Sequence, residues 1–190
     1  MRSVALNTKE HILGEETVKT SWIQFLWRVT SVQVISYFVF GLIFSTAFNY
    51  SNAYTASILS TFMKPTSSPW VAAGPLLQII RGVVFAVVLY PFKNVFLKNK
   101  QGWFLLWGLF IGLAIIGPVG PAPGSVEGMI YTKLPLTYHL YGLPEVLLQT
   151  LFFSLGLFYW YRKPGKAWNT LMLIGFVLIA AMSLAGIFLR

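Results

Sequence analysis

Apolar residues in this chain fall into long unbroken runs, with polar residues only at the joints. Five runs stand out: residues 22–48, 70–92, 103–119, 138–161 and 168–189. Each is close to the roughly 20 apolar residues that an α-helix needs to cross about 30 Å of hydrocarbon. Trp22, Trp70, Trp103, Tyr138 and Trp168 open the five runs. Amphipathic rings prefer the headgroup level, so these residues read as interface anchors. The pattern predicts an all-α, polytopic transmembrane bundle of about five spans. A polar segment over residues 1–21 precedes a single helical domain over 22–190.

The joints carry their own signals. The third run is short and ends at Gly117-Pro118. Residues 49–69 form an outer loop in which Ala53, Ile58, Leu59, Phe62 and Met63 could share one apolar helical face on the membrane surface. Residues 117–128 hold four Gly and three Pro, which rules out regular helix and predicts an extended or re-entrant loop. Gly142 and Pro144 predict a kink or a fresh helix start in the fourth run.

Composition agrees with lipid as the solvent. Hydrophobic residues make up 56% of the 190 and charged residues only 10%, against the roughly 25% that a soluble surface needs. The net charge of +9 comes from 14 Lys and Arg set against 5 Glu, with no Asp. These cations sit in short loops, which argues against a nucleic-acid face. The N-terminal segment carries Arg2, Lys9, Lys19 and Arg28; the second-to-third joint carries Lys93, Lys98 and Lys100; the fourth-to-fifth joint carries Arg162, Lys163 and Lys166. The opposite joints and end hold only Lys64, Lys133 and Arg190. The positive-inside rule then predicts a cytoplasmic N-terminus and an outside C-terminus. The expected location is a cell membrane, with a bacterial inner membrane as the setting. A polar start is not the apolar core of a cleaved signal peptide. Cysteine is absent, so disulfides, thiolate metal sites and Cys nucleophiles are excluded.

A few polar residues interrupt the runs. An ionised side chain at a helix centre costs about 2.5–3.5 kcal/mol on insertion scales, so it persists mainly when paired or functional. Arg81 lies near the middle of the second run, with Gln78 one turn away on the same side. In the fourth run Glu145 follows Pro144, and Gln149 lies four residues on. If the two helices touch, Arg81 could meet Gln149 and reach towards Glu145. Such a buried polar chain, extended by Gln78 and His139, would bind an anionic or polar ligand or carry a proton. The plainer reading is an ion pair that fixes helix packing. Glu127 lies in the Gly-rich loop, where backbone N–H groups over residues 124–128 could form an anion nest; the plainer reading is a rigid loop. The lone His139 offers too few ligands for a metal site, and no cofactor is expected. Ser125, Glu127 and His139 share one region, but their spacing is not that of a known triad. Gly108 and Gly112 form a GxxxG step, a motif for close helix packing.

Two function classes follow. The first is a binding or permeation protein with an outward-opening polar pocket for a small polar, anionic or lipid-like ligand, built on Arg81, Gln78, Glu145, Gln149, Glu127 and His139. The second is a non-catalytic accessory or assembly subunit of a membrane complex. An intramembrane enzyme comes third, because acid, base and nucleophile are not jointly visible. Expected partners are the bilayer, a lipid or small polar ligand, and a second copy or another membrane protein, with no nucleic acid.

Overall fold

The computed structural model describes residues 20–55, 58–61, 63–117 and 120–188. The polar segment expected over 1–21 therefore lies, up to residue 19, outside the described residues. Every regular element among the described residues is helical. Three helices are long and apolar enough to cross a membrane: α1 (Trp22–Ala47), α8 (Leu136–Arg162) and α9 (Lys166–Phe188). Two apolar helices are shorter. One is α4 (Gly74–Leu89), and the other is α6 (Gly102–Ile111), which continues as a wider π-helical stretch over Gly112–Ile116. The remaining helices are short: α2 (Tyr50–Thr55), α3 (Pro69–Ala72), α5 (Lys93–Lys98) and α7 (Val126–Tyr131).

The second run is thus not one helix. It breaks at Ala73 between α3 and α4, where Gly74-Pro75 removes one backbone donor. The outer loop is likewise not one helical face: α2 and a single 3-10 turn at Leu59–Thr61 are separate elements. Of the two residues Ile58 and Leu59, only Leu59 is buried. The fourth run behaves in the opposite way. Pro144 lies inside a continuous α8, so no fresh helix starts there. Surrounding packing overrides the local proline preference, leaving the Leu140 carbonyl without its usual donor.

Helix α1 is the centre of the bundle, packing against α4, α8 and α9. It starts at a capping box: Ser21 Oγ accepts from the Gln24 N–H and Gln24 Oε1 accepts from the Ser21 N–H, both at 3.3 Å. It ends ahead of Asn49, whose φ of 48° turns the chain out of the helix. Two features bring α1 and α4 together. A side chain at Gly82 would put its Cβ 2.7 Å from Thr30 Cα, so the two backbones meet there. One turn away, Gln33 Nε2 donates to Gln78 Oε1 at 2.9 Å, with both side chains buried.

The tightest core lies at the end carrying Lys93, Lys98, Lys100, Arg162, Lys163 and Lys166, called here the basic end. Phe25, Val29, Leu89, Leu97, Leu106, Leu157 and Trp160 are buried together. Phe85, Phe110 and Phe153 join α4, α6 and α8 through ring contacts of 4.9, 5.1 and 6.0 Å. Arg162 closes this end. Its Nη2 donates to the Lys98 carbonyl at 2.8 Å, its Nε donates to the Leu97 carbonyl at 3.3 Å, and its guanidinium lies over the Phe158 ring. The GxxxG step plays no such part, because a Cβ added at Gly108 or Gly112 would meet nothing within 4 Å. Close approach is used instead at Gly82.

A double-mutant cycle tests the polar clamp. Gln33→Leu and Gln78→Leu are expected to show a coupling of about 0.5–1.5 kcal/mol, in line with interhelical hydrogen bonds measured in membranes. Unfolding in mixed micelles measures it. Strict additivity of the two single changes would mean that the bond contributes nothing.

Candidate functional site

The end opposite the basic loops, called here the loop end, packs less tightly and encloses a cavity of about 390 Å³. Its walls come from the last turns of α1, from α2, from the break between α3 and α4, from α8 and from the last turns of α9. Glu145 is the one charged residue among its described lining. Tyr37, Tyr50 and Tyr54 supply aromatic faces and hydroxyls, while Leu42 and Met182 supply apolar surface.

Glu145 is placed by α8, directly after Pro144. Its Oε2 accepts from the Tyr50 hydroxyl at 2.5 Å, a short charge-assisted type of bond. Gly41 of α1 lies against the other oxygen, with a virtual Cβ 3.9 Å from Oε1. The missing side chain at Gly41 leaves room on that side of the carboxylate. Tyr50 stacks on Tyr54 with ring centres 5.0 Å apart and planes 17° apart, so α2 lays two rings beside the acid. Both rings belong to the loop-end cap rather than to a span. Burial first, and then the neighbouring Glu145, push the Tyr54 phenol up to about 12 and raise that of Tyr50 further. The opposite wall is tied by the Ser183 hydroxyl, which donates to the Ala72 carbonyl at the end of α3.

The expected polar chain is not assembled as one unit. Arg81 is exposed on α4 and does not line the cavity. Tyr37 stands within electrostatic range of both Arg81 and Glu145, but the acid's hydrogen bond comes from Tyr50. Gln78 is occupied by Gln33. Gln149 is half-buried one turn along α8 from Glu145 and is not part of the lining. The structure therefore separates three settings that the sequence put together: a helix clamp, a cavity acid and an exposed cation.

His139 and the Gly-rich loop form a second unit. His139 is fully buried near the start of α8. Its Nδ1 accepts from the Gly124 N–H at 3.1 Å, and its Nε2 lies 3.3 Å from Thr132 Oγ1. An accepting Nδ1 assigns the ring proton to Nε2, which donates to Thr132. Thr132 in turn donates to the Gly128 carbonyl at 2.7 Å and accepts from the Leu134 N–H. Ser125 caps α7: its Oγ accepts from the Gly128 N–H at 2.9 Å and donates to the Ala122 carbonyl at 2.7 Å. Gly124, with a φ of 86°, makes the turn. A Cβ at Gly128 would fall 2.0 Å from the Ala122 oxygen. These N–H groups point inward to Ser125 and His139, so they are spent on a latch. Ser125 and His139 have other partners, and no hydrolytic triad is formed. Glu127 sits half-buried in the first turn of α7, where its charge suits the helix N-terminus.

Sequence reasoning missed Tyr50 and Tyr54 as cavity residues, and missed Gln33 and Thr132. It counted Arg28 among the loop cations. Arg28 is 5% exposed, with its guanidinium 5.8 Å from the centre of the Trp160 ring and Nη1 without a hydrogen-bond partner. Its place near the basic end gave the one available signal, since Arg at that depth packs its stem along apolar surface. No group of three or more metal-ligating side chains exists among the described residues. Comparison of the chain with protein-family models, curated proteins and solved structures returns no match.

Two outcomes test this geometry. The Tyr54 phenol is expected to ionise near pH 12, whereas an unperturbed phenol does so near 10.0. Because the folded state favours the neutral ring, the stability Tyr54 contributes is complete below pH 10 and is lost as pH rises through about 12. Spectrophotometric titration against a Tyr54→Phe variant reads this; a chromophore titrating at its ordinary value refutes the buried placement. For the latch, His139→Leu leaves the Gly124 N–H without its acceptor and is expected to destabilise the loop by about 1–3 kcal/mol. Faster hydrogen exchange over residues 121–132 is the readout, and unchanged protection there contradicts the latch.

Proposed function

We propose that this chain is a multi-pass cell-membrane protein that binds, or moves, a small amphipathic ligand through the loop-end cavity. In this reading all five apolar runs cross the bilayer, with α3 and α4 together forming the second span and α6 with its π-helical extension the third. The basic end faces the cytoplasm and the cavity faces outside, as the Lys and Arg bias suggests. The observation that carries the reading is a single described acid, Glu145, set among three tyrosines in a cavity whose other described lining is apolar apart from the hydroxyls of Ser45, Thr66 and Ser183.

That lining defines the chemistry of the ligand. An acid bonded to one phenol and flanked by free space suits a hydrogen-bond donor or a cation. Aromatic faces attract cations as well, by about 0.5–2 kcal/mol depending on desolvation. Apolar walls suit a hydrocarbon body. Among the described residues the cavity lining holds no Lys or Arg, so an anionic ligand finds no counter-charge from them. A cavity of about 390 Å³ is within the range of small-molecule sites. The accessory-subunit reading draws on different residues, since Gln33, Gln78 and Gly82 serve only to lock helices.

The test uses calorimetric titration of the full chain in nanodiscs with benzyltrimethylammonium and, in parallel, benzenesulfonate. The cation should bind, the anion should not, and Glu145→Gln should weaken the cation by tenfold or more. Tyr50→Phe, which keeps the ring and frees the acid, should weaken it less. Binding of neither ion, or of both equally and independently of Glu145, would falsify the cavity as a cation-selective site and favour the accessory role.

A further inference from the structure

Arg81 is the residue that the proposed function leaves unused. It sits near the middle of α4, about 11 Å from the Gly74 end and about 12 Å from the Leu89 end along the axis. Its side chain is exposed. The face it shares is apolar: Leu77, Val84 and Val88, spaced around it at helical intervals, are 49%, 51% and 57% exposed. Among the described residues no hydrogen bond or ion pair holds the guanidinium. The two described carboxylates are placed elsewhere, Glu145 with Tyr50 and Glu127 in the first turn of α7. A guanidinium has no neutral form to retreat to, and an arginine side chain spans only part of the distance to either headgroup layer. Intramembrane cations face a cavity or pair with an acid. This one does neither among the described residues.

We infer that the Leu77–Arg81–Val84–Val88 face of α4 docks a transmembrane helix of another membrane protein that carries an Asp or Glu midway through its span. The inference rests on the reading of α4 as a span. Charge complementarity selects the occupant. An uncharged helix would leave the guanidinium stranded, and a second copy of this chain docked symmetrically would bring Arg81 against Arg81. An asymmetric copy has no carboxylate to spare on the described surface of its spans, because Glu145 lies in the cavity. The partner is therefore a different chain with a central acid and apolar flanks. The fork of five N–H donors on Arg81 suits two-point contact with that carboxylate. The contact sets depth as well as pairing, since an acid one turn higher or lower would miss.

The chain has no cysteine, so single labels are easily introduced. A donor dye is attached at Lys100→Cys and the full chain is placed in phosphatidylcholine vesicles. The probe is a synthetic Leu/Ala transmembrane peptide with one central Glu and an acceptor dye, compared with its Gln twin. Energy transfer should report at least tenfold tighter association of the Glu peptide. Arg81→Leu should abolish that preference, and Arg81→Lys, which keeps the charge but loses the two-point fork, should weaken it without abolishing it. Equal association of the Glu and Gln peptides overturns the proposal, as does a preference that survives Arg81→Leu. A preference that disappears when phosphatidylglycerol replaces phosphatidylcholine also overturns it, and assigns the guanidinium to lipid phosphate. Trp70→Cys and Val95→Cys, probed separately with an impermeant maleimide, keep the premise apart. Labelling from opposite sides shows that α4 spans; labelling from one side removes the span itself, and the docking face with it.

Discussion

The arrangement depends on how closely α1 and α4 approach. In lipid, apolar side chains gain nothing by leaving their solvent, so helices associate through close contact and internal hydrogen bonds. Gly82 supplies the contact, with Thr30 Cα where a side chain would otherwise stand. Gln33 and Gln78 supply the bond. With those two helices joined, α8 and α9 pack on α1, α9 also touches α4, and the loop-end cavity lies between α1, α8, α9 and the short helices α2 and α3. A larger residue at position 82 would separate the pair and take the Gln33–Gln78 bond beyond reach. The Glu145 site is in this sense downstream of a glycine on a helix that contributes only its first turn to the lining.

The two ends of the bundle are built differently. The basic end is filled with rings and aliphatic side chains and closed by Arg162 on the Leu97 and Lys98 carbonyls. The loop end is assembled from short pieces whose polar groups are satisfied locally, as in the Ser125–His139–Thr132 network. Close packing at one end and an open volume at the other is the division that the proposed binding role would use.

Much of the architecture was legible in the runs of apolar residues, because lipid requires length and apolarity of any span. Three helices meet that requirement outright. The faces of those helices were not legible. A helix that is apolar on all sides carries no stripe to show which side meets protein, so nothing in the second run told that Gln78 would turn inward and Arg81, three residues on, outward. Glu145 was visible as an acid in an apolar run, yet its partner Tyr50 comes from a six-residue helix in what read as a surface loop. His139 read as an extension of the polar chain because its acceptor role depends on a turn at Gly124 that local sequence does not dictate. Pro144 misled in the other direction: tertiary packing carries α8 straight through it.

The walls around Glu145 differ in the length of the helices that build them, and in the proposed binding role that difference would bear on how a guest is held. On one side stand α1, α8 and α9, each 23 residues or longer. On the other stand α2 and α3, six and four residues long, the latter tethered to α9 by one serine hydroxyl. Under the proposed binding role, substituents of a guest that press on the long helices would meet continuous helical walls, and those directed at α2 and α3 would meet short pieces. The Ser183–Ala72 bond and the close packing of Gly186 on Ala72 hold α3 against α9, so an opening at that wall would have to break both.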